Sequence, residues 1–241
     1  MTTYGAGETL DADGGWQPAR PRTLVDHAVD AIMSGAARGL LLPGDRIVEA
    51  ELAKVLGMSR VPIREALRIL ESQGVVTSEP YKGIRLMPVT RERLDQVLEV
   101  RVALEIVAAR RAIEKACNGP REIATLRRAV DELDLMAKRQ DNYRLAAADT
   151  AFHRTLLSFA GNPVLSTLWE SLARQLTIIV GLSTLGKSME AIVDEHRILV
   201  EVLASGDAEA MERALRDHIV VQTGAVDFDR IIAERRGAPS G

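Results

Sequence analysis

Between residues 91 and 235 the chain alternates long amphipathic stretches, with apolar side chains at helical spacing, and short breaks rich in Gly, Asn, Asp and Pro. The breaks fall at 118–120, 141–142, 161–163, 186 and 206–207. Because such residues favour turns and end helices, the pattern predicts separate helices rather than strands. We expect six helices, over residues 91–117, 120–139, 142–160, 163–184, 188–204 and 207–235. Helices joined by short connections pack side by side, so we expect an antiparallel all-α bundle.

The segment before the bundle has the pattern of a helix-turn-helix. A first helix is expected over residues 22–38, and a second over 49–56 stops at Gly57, which suits the left-handed conformation that ends a helix. Ser59 can cap a third helix, and Pro62 is tolerated in its first turn. Two helices separated by a short turn that contains Gly form a helix-turn-helix unit.

A β-hairpin is predicted directly after the third helix. Residues 75–78 and 84–87 have the pattern of short strands around the turn 79–83, and Pro88 ends the second strand. The hairpin would form the wing of a winged helix-turn-helix, with Lys82 at its tip. The predicted fold class is therefore mainly α, with a small β-hairpin wing in the N-terminal part.

Length and composition fit two globular domains. A chain of 241 residues exceeds the usual size of one domain, and 46% apolar with 27% charged residues is ordinary for a globular protein. We expect a winged helix-turn-helix domain over 21–88, a helical domain over 90–236 and a disordered tail over 1–20. No run of about 18 apolar residues and no apolar secretion segment is present, so we expect a cytoplasmic protein without a membrane partner.

Three arginines form a stripe along the predicted third helix. Arg60, Arg64 and Arg68 are spaced by four residues beside an apolar face. The net charge of the chain is −3, but residues 59–91 contain six Lys/Arg against three Glu, which suits contact with phosphates. Arg60 and Arg64 lie in the half of the helix that enters the major groove, where Arg can bind guanine O6 and N7. The residues assigned to phosphate or minor-groove contact are Arg68, Ser59, Lys82 and Gly83. The alternative, a stripe on a solvated helix face, is disfavoured because the helix-turn-helix, the wing and the stripe coincide.

Histidine and aspartate positions in the bundle indicate a metal site. The chain has four histidines, and three of them lie in the helical part. Asp149 and His153 are four residues apart, so on one helix they project from the same face. His196 and His218 lie on the last two predicted helices, which an antiparallel bundle can bring level with that face. One carboxylate and three imidazoles suit Zn²⁺, Ni²⁺, Mn²⁺ or Fe²⁺. The alternative is that each histidine is an ordinary hydrogen-bonded core or surface residue.

A family resemblance extends over most of the chain. The stretch LPGDRIVEAELAKVLGMSRVPIREALRILESQGVV resembles the winged-helix signature of the GntR family, above all at residues 59–67. The C-terminal part is similar to the FCD ligand-sensing domain of the FadR-type subgroup, through Arg101, Glu105, Asp149-Thr-Ala-Phe-His153, Gly161-Asn162-Pro163, Glu195-His196 and Asp217-His218. The wing departs from the family pattern, because Tyr81-Lys82-Gly83-Ile84 replaces the commoner Asn-Arg-Gly-Ala.

The resemblance implies a function and a ligand set. Proteins of this kind are dimeric repressors or activators of catabolic and transport operons. The metal-binding variety holds a divalent ion between one Asp and three His, a pattern matched one for one by Asp149, His153, His196 and His218. The family also implies a small carboxylate effector. Arg101 is our candidate for binding it, because a guanidinium holds two oxygens at once, and a salt bridge from Arg101 to Glu105 is the alternative.

We therefore predict a transcription regulator rather than an enzyme. The simplest form is a homodimeric repressor that binds a pseudo-palindromic double-stranded operator and leaves it when the effector binds. Two other hypotheses stay open. In the first, Asp149 and the three histidines activate water as a metal-dependent enzyme, although no general base is identifiable. In the second, the histidines are structural and the helical domain senses an apolar or acyl ligand without metal.

Overall fold

The computed structural model describes residues 23–79, 81 and 83–237. The predicted tail at 1–20 and the wing-tip residue Lys82 lie outside the described residues. The ten α-helices in the described part are α1 Leu24–Ala37, α2 Glu49–Leu56, α3 Arg60–Ser72, α4 Arg91–Glu114, α5 Pro120–Lys138, α6 Asn142–Ser158, α7 Pro163–Ser183, α8 Met189–Ser205, α9 Ala208–Arg216 and α10 Phe228–Gly237. The three strands are β1 Arg46–Ile47, β2 Val76–Glu79 and β3 Gly83–Leu86, and one π-helix spans Asp217–Gln222.

The N-terminal part is a winged helix-turn-helix, as the sequence predicts. Gly57 ends α2 with a left-handed φ of 64°, and its amide bonds back to Ala53 and Lys54 carbonyls. The wing is an antiparallel sheet of order β1-β3-β2, in which Val76 pairs with Leu86. The short strand β1 was not predicted, because two residues are too few to produce an alternating pattern.

The predicted cap of α3 has the predicted position but lacks the hydrogen bond of a cap. Ser59 occupies the N-cap position of α3 with extended backbone, but its side chain makes no capping hydrogen bond. Side chains do cap α4 and α7. Thr90 accepts from the amide of Arg93 at the start of α4, and Asn162 accepts from the amide of Leu165 at the start of α7.

The C-terminal part is an antiparallel helical bundle. Five of the six predicted helices match α4 to α8 to within a few residues. The sixth, expected to be continuous over 207–235, is wrong, because α9, the π-helix and two further helical residues at 223–224 are followed by a break at 225–227 before α10. A single Gly costs a helix only about 1 kcal/mol, so Gly224 alone did not predict the break. Within the described residues, every helix is too short or too polar to cross a lipid bilayer.

The two parts pack against each other without a gap. One buried apolar cluster runs from α1 and α3 into the bundle. Helices α1 and α7 meet closely, since a Cβ on Gly181 would lie 2.5 Å from the Cβ of Ala37. Gln175 of α7 extends the junction, because its Nε2 donates to the Gln73 carbonyl over 2.9 Å and its Oε1 accepts from Arg93 over 2.9 Å. The end of α3 is therefore fixed to the bundle.

Candidate metal centre and nucleic-acid interface

Four side chains that are distant in sequence meet inside the bundle. Asp149 and His153 come from α6, His196 from α8 and His218 from the π-helix. Each offers one ligand atom, and these four atoms lie within 4.8 Å of one another. All four residues are buried, with His153 and His196 fully inaccessible. The structure thus brings together the four residues that the sequence analysis assigned to a metal.

An apolar wall surrounds the cluster. The ring of Phe152, next to His153 on α6, meets the His196 ring edge-on at a centroid distance of 4.7 Å and the His153 ring at 5.2 Å. Phe152 has no exposed surface, so its ring covers one side of His153 and His196 with apolar atoms. Burial lowers the pKa of His153 and lowers the pKa of His218 well below its usual value, so both rings are neutral near pH 7.

Each histidine has a partner on its Nδ1 side that can only accept a hydrogen bond. His153 Nδ1 lies 2.6 Å from Glu105 Oε2, and His196 Nδ1 lies 2.7 Å from the Ile192 carbonyl. His218 Nδ1 lies 3.1 Å from Glu195 Oε2. A carbonyl and an ionised carboxylate cannot donate, so Nδ1 carries the proton in all three rings. A neutral ring protonated on Nδ1 has a lone pair on Nε2.

These lone pairs converge on one point. His153 Nε2 and His218 Nε2 face each other at 3.1 Å, with no proton available between them. His196 Nε2 lies 3.1 Å from Asp149 Oδ1, yet it is buried and has no hydrogen-bond partner. The lone pairs of His153 and His218, at 3.1 Å from each other and beside the Asp149 carboxylate, repel one another unless a cation lies among them. The residues present therefore fit a divalent metal with nitrogen and oxygen ligands.

Glu105 of α4 connects the cluster to its surroundings. Its fully buried carboxylate accepts from His153, from Arg101 Nε over 2.8 Å and from Trp169 Nε1 over 3.1 Å. Burial alone would raise the pKa of Glu105, but His153 and Arg101 outweigh it and hold this pKa at about 2. The carboxylate is therefore ionised and determines which nitrogen of His153 faces the cluster.

Arg101 is also buried, with 1% of its surface exposed. Its Nε pairs with Glu105, which is the salt bridge that the sequence analysis gave as the alternative to an effector role. One of its terminal nitrogens remains without a hydrogen bond, 3.9 Å from Asp149 Oδ2, which is itself unpartnered. Burial would raise the pKa of Asp149, but His196, His153 and Arg101 lower it below its usual range. Part of Arg101 is thus available for an anion beside the cluster.

A small cavity, the chamber, lies beside the cluster. Its volume is about 20 Å³, and it is lined by Arg101, Asp149, Val180, Ser183, Lys187, Ile192, Glu195, His218, Thr223 and Val226. Lys187 Nζ lies 2.5 Å from Glu195 Oε1, so these two charges form a partly buried ion pair at the edge of the chamber.

The recognition helix α3 presents its arginines to the outside. Arg64 and Arg68 have 54% and 69% of their side chains exposed, and Arg60 is exposed at the first position of the helix. Arg64 is already engaged, because its terminal nitrogen lies 3.1 Å from Glu49 Oε2 at the start of α2. This contact raises the pKa of Arg64 and orients its guanidinium.

The wing residue Gly83 has a left-handed φ of 78°. A Cβ at this position would lie 3.3 Å from Arg46 Nε, so Gly allows the Arg46 side chain of β1 to run along the wing.

Several residues around these sites had no assigned role in the sequence analysis. Glu49 lies fifteen residues before Arg64, and Trp169 and Lys187 lie on parts of the chain without a motif. The scarcity of tryptophan, with two in the chain, is the only sequence signal that marks Trp169. Glu195, which the sequence analysis names only as part of the family resemblance, contacts His218 and Lys187.

Comparison with known proteins gives two family matches. Residues 24–86 match the model described as bacterial regulatory proteins of the gntR family, and residues 96–220 match the FCD domain. A probable D-xylose utilization operon transcriptional repressor of Paenarthrobacter nicotinovorans is 30% identical over 197 residues, which cover 82% of this chain and 86% of the relative. A gluconate operon transcriptional repressor of Bacillus licheniformis is 23% identical, covering 78% of this chain and 79% of the relative. The solved structure of E. coli McbR/YncC superposes with a TM-score of 0.67 at 21% identity, covering 89% of this chain and 99% of that one.

Proposed function

Because this chain belongs to the GntR family of bacterial regulatory proteins and carries an FCD domain, we propose that it is a metal-dependent, effector-controlled repressor. It binds operator DNA in the cytoplasm as a homodimer through α3 and the wing. The helical domain binds a divalent ion through Asp149, His153, His196 and His218. A small carboxylate bound at this site lowers the affinity of the protein for DNA.

The observation that carries the metal assignment is the direction of the three imidazoles. Each ring gives its Nδ1 proton to an acceptor outside the cluster and turns the Nε2 lone pair inward, toward the carboxylate of Asp149. This is the arrangement in which histidine binds metal, with an outer acceptor fixing the ring. A set of structural histidines would instead hydrogen-bond through both nitrogens.

The buried charges support a single carboxylate as the effector. Arg101 contributes one positive charge, and Glu105 and Asp149 contribute two negative charges, while Lys187 and Glu195 cancel. This leaves one negative charge, which a divalent cation would convert into one positive charge. Since a buried charge is costly without a partner, one carboxylate facing the free nitrogen of Arg101 would balance the site.

Exposed apolar surface supports the homodimer. On α4, Val100 and Val107 are 48% and 47% exposed and lie on one helix face with Ala103 and Leu104. On α7, Val164 and Leu168 are 67% and 53% exposed. The two helices pack together, because Trp169 of α7 donates to Glu105 of α4. One apolar surface across α4 and α7 is suited to pairing with the same surface of a second copy.

Repression is supported by the relatives, two of which are named operon repressors. Their operons concern xylose and gluconate, and these words describe those proteins only. A dimer with two DNA-binding parts would bind two half-sites. Arg60 and Arg64 are the exposed side chains of α3 assigned to base contacts, and Arg64 would exchange its contact with Glu49 for the base.

Metal analysis tests the proposal directly. We expect purified protein to bind about one Zn²⁺ or Ni²⁺ per chain, and His196→Ala to reduce this to background. His27→Ala is the matched control, because His27 is exposed on α1, away from the cluster. Equal metal binding by wild type and His196→Ala would refute the metal site. It would leave an acyl sensor without metal as the better hypothesis. Light scattering of the same samples tests the dimer, and a monomeric mass would refute it.

A further inference from the structure

The chamber beside the metal cluster is too small for an organic acid. Its volume of about 20 Å³ corresponds to roughly one water molecule. Thr223 and Val226 form one of its walls: Thr223 continues the helix directly after the π-helix, and Val226 lies in the break at 225–227 before α10. A carboxylate with several heavy atoms can enter only if some wall moves. We call residues 223–227 the gate segment.

The gate segment has empty space on both of its faces. A solvent-open groove of about 340 Å³ runs between it and the start of α4, and a second open groove of about 380 Å³ runs between it and Gly186 and Lys187. One side-chain contact ties it to α4, since Arg91 donates to the Gly224 carbonyl over 2.9 Å. It therefore has room to move, whereas the other walls of the chamber come from packed helices, apart from Lys187 in the turn between α7 and α8.

Helix α10 follows the gate segment and reaches the DNA-binding part. Phe228 and Ile231 are buried, and Ile231 packs so closely on Gly186 that a Cβ there would lie 2.9 Å from its Cδ1. At the other end of the helix, Arg236 donates to the Pro43 carbonyl over 2.9 Å and lies 3.3 Å from Asp45 Oδ1.

The segment that Arg236 contacts is hydrogen-bonded into the wing. The Gly44 amide donates to the Leu86 carbonyl over 3.1 Å, and the Leu86 amide donates to the Asp45 carbonyl over 3.0 Å. Leu86 is the last residue of β3, the central strand of the sheet. A displacement of Arg236 therefore acts on the strand that supports the wing.

We propose that the gate segment opens to admit the effector and that α10 transmits this movement to the wing through Arg236. This inference rests on the proposed function for the identity of the effector. The contacts between α10 and the segment that leads into the wing do not depend on that function. The device links the occupancy of the chamber to the shape of the DNA-binding surface within one chain.

Hydrogen exchange of the Arg236→Ala variant tests the connection without any ligand. We expect the amides of Gly44 and Leu86 to exchange about 2- to 5-fold faster than in wild type, the range set by losing an exposed ion pair. The matched control is Arg127→Ala, which removes a 3.0 Å ion pair to Glu201 within the bundle. It should leave these two amides unchanged. Wild-type exchange at Gly44 and Leu86 in Arg236→Ala would overturn the proposal.

A second arm adds Zn²⁺ and then sodium acetate, the simplest monocarboxylate probe. We expect acetate to accelerate exchange at 223–227 in all three proteins, and to change exchange at Gly44 and Leu86 in wild type and Arg127→Ala only. The same change in Arg236→Ala would overturn the role of Arg236. If Zn²⁺ does not change hydrogen exchange at residues 217–222, the proposed metal site is refuted. The connection between α10 and the wing is then decided by the experiment without ligand alone.

Discussion

The Nδ1 proton of His153 is donated to Glu105 Oε2 across 2.6 Å, in a position where neither group has any exposed surface. The contact joins α6 to α4 and fixes the ring so that Nε2 faces Asp149, His196 and His218. A residue outside the proposed ligand set therefore controls the orientation of one ligand.

Replacing Glu105 with Gln should weaken metal binding about 10- to 100-fold, the usual effect of removing the carboxylate behind a ligand histidine. The amide keeps the shape of the side chain but can present its NH₂ group to His153, which would favour the wrong ring tautomer. A competition titration of Zn²⁺ against a chelator measures the effect. The exposed Glu201, which pairs with Arg127, gives the control Glu201→Gln. Unchanged affinity in Glu105→Gln, with the fold intact by circular dichroism, would contradict the orienting role.

The stability of the metal-free protein should fall as the pH drops below about 6.5. Burial lowers the pKa of His153 and His218 in the folded state, so near their ordinary value of 6.5 the unfolded chain binds more protons. Stability is thus complete above that pH and decreases below it. A further decrease should begin below about 4.5, since Glu105, with a pKa of about 2, stays ionised only in the folded state.

Urea unfolding of chelator-treated protein between pH 5 and 8 measures this dependence. His218→Asn should reduce the slope below pH 6.5, whereas His27→Asn on the surface should retain it. If the unfolding free energy of the two variants depends on pH with the same slope, His218 does not contribute to the loss of stability below pH 6.5.

Arg60 and Arg64 should determine sequence preference, and Arg68 should not. With an operator selected from random DNA, Arg60→Ala or Arg64→Ala should cost about 1–3 kcal/mol each and relax the preference for particular bases. Arg68→Ala should weaken binding to all sequences alike and reduce the salt slope by about 1. Fluorescence anisotropy at several salt concentrations separates the two effects. Equal loss on selected and random DNA for Arg64→Ala would argue against base contact.

Gly181→Ala should loosen the junction between the two parts of the chain. Its new Cβ would lie 2.5 Å from the Cβ of Ala37 and 2.8 Å from the Ala37 carbonyl oxygen, so α1 and α7 must separate. Overpacking of this kind costs about 1–3 kcal/mol of unfolding free energy. Gly35→Ala on α1 is the control, because nothing lies within 4 Å of its Cβ and Ala favours helix, so it should stabilise by about 0.5–1 kcal/mol. Urea unfolding compares the two, and a stable Gly181→Ala would contradict the close contact.

Local signals in the sequence were sufficient for much of the fold. The Gly57 turn and the apolar periodicity of α3 predicted the helix-turn-helix, and Asn162 with Pro163 located the start of α7. The four clustered side chains could be named because Asp149 and His153 share a helix face and histidine is scarce in this chain.

The remaining features depend on contacts between distant parts of the chain. Arg101 and Glu105 have the spacing of an ordinary surface ion pair, and only tertiary packing buries them and adds Trp169 and His153 as partners. The pairing of Arg64 with Glu49 depends on the angle between α2 and α3. The break at 225–227 directly follows Gly224, a residue that a helix tolerates, so local preference left its position open.

The contact between Gly181 and Ala37 leaves no room for a hinge between the DNA-binding head and α7. Gln175 is also hydrogen-bonded to the end of α3. The DNA-binding part therefore cannot rotate as a rigid body relative to the bundle unless the bundle itself changes shape. In a dimer, the distance between the two DNA-binding parts would then be fixed by the helical bundles. Effector binding that acts through α10 would change how well the wing fits the DNA groove. The distance between the two half-sites of the operator would stay the same, and the protein would dissociate from that operator faster.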